Sequence, residues 1–434
     1  MASGGAGQNF TVQHGGNVTF TATPTEGWIV ESWTGVTAMP PNGTTVTLSN
    51  VTAPATVTVK FKDNIEISGN TSGAWKALKE EAEKPNGAST IIINGTIKAT
   101  GGADSGQIDI GRSLTIKPKS GAAELDANQQ SGIFKVGSTK TLTLKDGVTL
   151  KNGKAGSGGG VHVEAGGTFN MQGGTITACT ATVNGGGVYV ASGSTFTMSG
   201  SAKVDENNDV YLSNGTKIEV TGTLTHKPAA KITPADYTEG RVLATGTAAE
   251  KANFKVSPDS SGKSWRYKKV GDDIKFVKGK LTVTFVKLKC VRVAEVGKSE
   301  YYWTMKVDGQ MISELSETNH WSANNGDEYS INKSFTRDFN SFSANETVPV
   351  NIEIYESDGG PEDHIGTTKA NLTYDYTNDS WIWKYDDGYW DPHGNKKKNP
   401  NITIAAGSEQ EFTEEYRHKD GDTDVTIKIS WKEE

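Results

Sequence analysis

A strand pattern that returns every 27 residues dominates the middle of this chain and leaves it few ways to fold. Gly158-Gly159-Gly160-Val161-His162-Val163 returns as Gly185-Gly186-Gly187-Val188-Tyr189-Val190, and Thr168-Phe169-Asn170-Met171 returns as Thr195-Phe196-Thr197-Met198, both at an offset of 27. One step earlier, Phe134 and Val136 stand the same distance before Val161 and Val163, as Leu142 and Leu144 do before Phe169 and Met171. Ile108, Ile110, Leu114 and Ile116 on one side, and Val210, Leu212, Ile218 and Val220 on the other, extend the pattern at slightly altered spacing. A period in the twenties, built of short strands with Gly and Asn corners, is what a solenoid coil needs. No single rung carries enough apolar surface to fold alone. Stacking sets Val161 over Phe134 and under Val188, and pairs each backbone with the next coil. The Leu and Asn pattern of a leucine-rich repeat is absent, and a propeller blade needs about 40 residues. The sequence therefore predicts a right-handed parallel β-helix, its hand following the rule for parallel crossovers.

At 434 residues with 51 glycines and 34% hydrophobic residues, the chain is too long for one core, and Val, Ile and Thr runs between Gly, Asn, Asp and Ser read as all-β. A net charge of −7 offers no basic field for a phosphate backbone, so no nucleic-acid partner is expected. Cys179 and Cys290 fall in different predicted domains and support neither a disulfide framework nor a thiolate metal site. No stretch approaches the ~20 apolar residues of a membrane-spanning helix. The start, Met1-Ala2-Ser3-Gly4-Gly5, lacks the charged and apolar regions of an export signal, so residues 1–9 read as leader or linker and secretion is inferred.

Residues 10–63 alternate in four short strands, around Val18 and Phe20, Trp28 and Val30, Val46 and Leu48, and Val57, Val59 and Phe61. The run Gly16-Asn17-Val18-Thr19-Phe20-Thr21-Ala22-Thr23-Pro24, then Gly27-Trp28, Trp33 and Val57-Thr58-Val59-Lys60-Phe61, resembles the divergent internalin B-type repeat of bacterial surface proteins. That resemblance implies a small β spacer or contact module without an active site, displayed outside the cell or on its surface. Residues 73–83 carry the one good helix signal, with Trp75, Leu78 and Ala82 on one face, and read as the cap of a β-helix spanning 70–278. The stretch from about 225 to 278 keeps strands but loses the period, as a terminal cap would.

From 280 to 434 Gly falls and Trp, Tyr, Asp and Glu rise, and some eight strands read as a β-sandwich. Val350-Asn351-Ile352-Glu353-Ile354-Tyr355-Glu356-Ser357-Asp358, with Glu362-Asp363-His364-Ile365-Gly366, resembles the strand and third loop of C2-type calcium and lipid binding domains. Gly297-Lys298-Ser299-Glu300-Tyr301-Tyr302 is similar to that family's first-loop run. The resemblance implies calcium as a cofactor with Glu300, Glu356, Asp358 and Asp363 as ligands, since calcium takes six to eight oxygens from such loops. Glu stands where the family has Asp at two of these positions, so a sandwich without metal is an equal reading. The loops show no apolar tip beside a basic patch, so membrane insertion is not expected.

Trp381, Trp383 and Tyr385 alternate along one strand and Trp390 follows them. Such a row serves either as a stacking platform for sugar rings or as sandwich core. Enzymes that cleave polysaccharides use the β-helix too, but they need two or three converging carboxylates. The regular coils carry only sparse acids, Asp104, Asp109, Glu124, Asp126, Asp146 and Glu164, with no His or Arg recurring beside them. The sequence thus predicts a non-catalytic adhesin or scaffold whose partner is a host or neighbouring-cell surface protein or glycan. A lyase or glycosidase is the alternative.

Overall fold

The structure, a computed structural model, describes residues 11–25, 28–36, 43–293, 298–357, 363–386, 401–418 and 421–433. Its regular structure is nearly all strand, and it divides into two units, one of residues 1–257 and 268–275, the other of residues 258–267 and 276–434.

In the first unit the four alternating segments near the start form two antiparallel pairs, Gly16–Thr21 with Thr45–Val51 and Ile29–Thr34 with Thr58–Lys62. Their small core is Ala22, Val30, Trp33 and Val46, and the Trp33 indole donates to the Gly43 carbonyl at 2.9 Å. Next comes the solenoid. Its 27-residue offsets are lateral pairings: Phe134 is beside Val161 and Val161 beside Val188, while Leu142, Phe169 and Phe196 form a second line. All six are fully buried. The first line lies in a seven-stranded sheet that runs in parallel from Ile108–Asp109 to Phe254–Val256. The parallel stack thus continues to 256, into the stretch the sequence assigned to a cap, with shorter rungs.

A third, five-stranded sheet completes five of the coils and aligns Ile97, Leu125, Leu150, Ile176 and Val204. The helix Ala74–Glu83 buries Trp75, Leu78 and Ala82 completely, as its spacing requires. Trp75 donates to the Gly106 carbonyl at 2.9 Å. The fully buried Arg112 guanidinium ties the end of this helix to the first coils, donating to the Glu81, Lys84 and Ala88 carbonyls and pairing with the Glu81 carboxylate at 3.2 Å. At the other end, Asp273–Phe276 joins Val242–Thr245 antiparallel and stops the parallel run.

The second unit is an antiparallel sandwich. One sheet orders Glu328–Phe339, Gly279–Val293, Gly421–Glu433 and Ser408–His418; the other runs from Gln310–Leu315 through Ser299–Val307, Thr347–Glu356, Asp363–Asp375 and Ser380–Tyr385 to Ile402–Ala405. Leu281, Val283 and Phe285 alternate inward, and a register shift between Phe285 and Lys287 lets Leu288 and Cys290 face inward too. Residues 258–267, which the sequence placed in the β-helix, belong here: Ser264–Trp265 pairs with Ser341–Phe342.

Candidate functional site

The C2-like motif gathers its residues at one end of a sheet. Tyr301 stands opposite Glu356, Glu356 opposite Asp363, and the Ser357 amide donates to the Glu300 carbonyl at 2.8 Å. Directly paired residues of antiparallel strands share a face, and neighbours along a strand do not. Tyr301 and Glu356 are both buried between the sheets, so Glu300 points the other way, where it meets His320 at 3.1 Å. Glu300 and Glu356 therefore cannot hold one calcium ion together, which corrects the expected ligand set. Among the described residues no group of three or more His, Cys, Asp or Glu could hold a metal. Asp358 lies outside the described residues, and Asp363 starts the strand after that loop.

The aromatic row divides by depth. Trp381 and Trp383 are fully buried and sit in the sandwich core, Trp381 against Phe339, Tyr374 and Trp431 and Trp383 against Phe412. The core takes these two rings, so the sugar-stacking platform is not formed by them. Tyr385 is half-buried and its hydroxyl donates to the buried Glu414 carboxylate. Trp390 lies outside the described residues.

The solenoid exposes rows as regular as those it buries. His162, Tyr189 and Tyr211 stand side by side on the outer face, with ring centroids 4.8 and 5.6 Å apart and the two tyrosines stacked within 6°. Most acids of the coils meet their own partner, while Glu124 and Asp126 share Lys151, Asp126 at 3.8 Å. Glu164 pairs with Lys135 at 2.8 Å and Glu124 with Lys151 at 2.7 Å. Asp126 accepts from the Asn128 amide and the Asn152 side chain, Asp104 from the Lys76 amide and Thr100, and Asp146 from Ser201 and the Gly147 amide. The two cysteines are free and buried, and burial pushes the Cys179 thiol up to about 11, which leaves little thiolate at neutral pH.

Residues 2–65 match the model of the divergent InlB B-repeat domain. The match covers the two antiparallel pairs and ends where the first solenoid strand, Asn64–Ser68, begins. No curated protein matches the chain. Solved structures are similar over about a third of it. Human GIVD cytosolic phospholipase A2 covers 36% of this chain and 17% of its own length at 13% identity and TM-score 0.20. The structure of a C2 domain covers 35% and 98% at 12% identity and TM-score 0.20, and a C2 domain protein from Ramazzottius varieornatus covers 36% and 89% at 12% and 0.19. The chain thus spans under a fifth of the phospholipase. The seven-coil solenoid and the InlB-type module fit a surface adhesin-like scaffold.

Proposed function

We propose that the protein is a non-catalytic adhesin or scaffold, secreted or held on a bacterial surface, that presents binding faces to a glycan or protein of a host or neighbouring cell. The observation that carries this reading is the register of the solenoid. Seven parallel strands keep each side-chain position in line, so outward residues such as His162, Tyr189 and Tyr211 form rows on a support about 30 Å long. Such a surface is rigid and repeated, as display requires, and an InlB-type module precedes it. The acids of the regular coils that have partners meet lysines, amides and hydroxyls, which supports the non-catalytic reading.

The test is to display the full chain on a non-adherent bacterium and count attachment to cultured cells and to immobilised glycans and matrix proteins, with and without calcium. Attachment above the undisplayed strain supports the reading. Its absence on every surface, or release of cleaved sugars from a polysaccharide panel, overturns it.

A further inference from the structure

We propose that a cleft on the outer face of the sandwich binds a neutral oligosaccharide. The cleft, of about 510 Å³, lies between the turn after Ser341–Phe342 and the strands Asp363–Asp375 and Ser380–Tyr385. Thr373 and Ile382 stand directly opposite each other in these strands. Lys384, two residues beyond Ile382, shares their face. The alternate residues Leu372, Tyr374, Trp381 and Trp383 fill the core, so this row is the outer one. Ser343, Asp375, Tyr376 and Thr377 also line it, as do the core rings Phe342 and Tyr374. A volume of this size is ordinary for a small-ligand site.

The lining has the chemistry of a sugar site. Among the described residues, the hydroxyls of Ser343, Thr373 and Thr377 and the Lys384 ammonium make no hydrogen bond. The Tyr376 ring is 37% exposed, one of few large apolar groups so open, and its hydroxyl is fixed to the Trp265 carbonyl at 2.5 Å. A held ring in the same cleft as Ile382 suits the C–H face of a pyranose, and the uncommitted hydroxyls and ammonium suit its hydroxyl groups.

Two observations narrow the ligand. Asp375 also lines the cleft, and it accepts from the Thr377 amide, the Asn378 amide and the Asn378 side chain at 3.0, 3.3 and 2.8 Å. This carboxylate stays ionised and offsets Lys384, so a polyanion gains nothing here. Both flanking strands are paired on each side within their sheet, so no edge is open for an added peptide strand. The inference supplies a ligand class for the adhesive reading but rests on the cleft alone.

The experiment applies the full chain to an array of neutral gluco-, manno-, galacto- and xylo-tetraoses, with sialylated and sulfated oligosaccharides as charged arms. Lys384→Ala and Thr373→Val remove polar partners. Thr377→Arg, at an exposed turn position, blocks the cleft by bulk without touching the core. The expected result is binding of at least one neutral tetraose, weakened tenfold or more by each variant at unchanged melting temperature. The proposal is overturned if no neutral sugar binds, if only charged arms bind, or if Thr377→Arg binds like the parent. If cell attachment persists in Thr377→Arg, the cleft fails as its cause while the adhesive reading stands.

Discussion

Arg266 and Asp379, 113 residues apart in sequence, form a forked ion pair inside the sandwich unit. The guanidinium Nε meets the two carboxylate oxygens at 2.8 and 3.0 Å, and Nη2 meets one of them at 2.6 Å. The Tyr374 hydroxyl and the Trp431 indole donate to the same carboxylate at 2.6 and 3.2 Å, and the guanidinium lies 5.4 Å from the Trp431 ring centroid. Asp379 also holds a left-handed backbone, with φ of 47°. One side chain thus fastens residues 258–267 to the sandwich.

Removing half of such a pair costs more than the pair itself contributes, because the other charge stays buried. Asp379→Ala leaves Arg266, 2% exposed, without its counter-charge, and strands two ring donors. The expected loss is about 3–5 kcal/mol in urea unfolding followed by near-ultraviolet circular dichroism. Asp379→Asn, which tolerates the left-handed backbone, should lose less. A fragment beginning at residue 280 lacks Arg266 and should be destabilised like Arg266→Ala; equal stability of the two fragments, with and without 258–279, would refute the fastening role.

The same pair sets a pH dependence. Burial opposes the Asp379 charge, but hydrogen bonds from Arg266 and Tyr374, with the guanidinium charge, more than offset it and lower its pKa. A carboxyl whose folded pKa is depressed adds stability that is fully present above its unfolded value, about 3.9, and is lost as pH falls through the folded value. The sandwich should therefore hold its stability from pH 7 to about 5 and lose it below about 4. Other sandwich carboxylates with lowered pKa contribute as well, Asp375 and Glu328 among them. The measured quantity is accordingly the difference from Asp379→Asn, which should shrink as pH falls; a gap that stays constant to pH 2.5 would contradict the assignment.

Inward and outward rows of the solenoid should differ in cost. Phe169 is fully buried and stacks on Phe196 with centroids 5.2 Å apart. Phe169→Ala should cost about 3–5 kcal/mol. Tyr189→Ala, on the outer face between His162 and Tyr211, should lose only its ring contacts, about 0.5–1.5 kcal/mol. Comparable losses in thermal unfolding would mean that the outer row is structural and leave the display surface without a special role.

Two of the three solenoid faces were legible in the sequence because their offset holds at 27 over three coils and their inward residues are large. The third, through Leu125, Leu150, Ile176 and Val204, was not, since its offsets of 25, 26 and 28 follow corners of varying length. Strand alternation placed Trp381 and Trp383 on one face but could not say which face is covered; burial decides that. Glu300 and Glu356 reached the same sheet end as their motif implied, yet pairing parity turned them apart. Arg266 gave no local signal, because its partner lies in another strand pair far along the chain. The cleft lining is likewise spread from Ser343 to Lys384 and has no motif.

The solenoid corners supply the last test, since two glycines there are needed for different reasons. A Cβ on Gly153 would sit 2.0 Å from the Gly159 carbonyl oxygen and 2.8 Å from its carbon. Those are backbone atoms, so the corner itself must move. Gly193, by contrast, has φ of 76° and nothing within 4 Å of a Cβ, so alanine there meets only the left-handed penalty of about 1–2 kcal/mol. Gly153→Ala should exceed that cost and should disturb the neighbouring amide of Gly153, which donates to the Cys179 sulfur at 3.4 Å. Cys179 then becomes the reporter: its reaction with a thiol reagent, slow in the parent because the sulfur is buried, should accelerate in Gly153→Ala and stay slow in Gly193→Ala. If both variants lose equal stability and neither exposes the thiol, backbone contact between adjacent corners is not what requires glycine at 153.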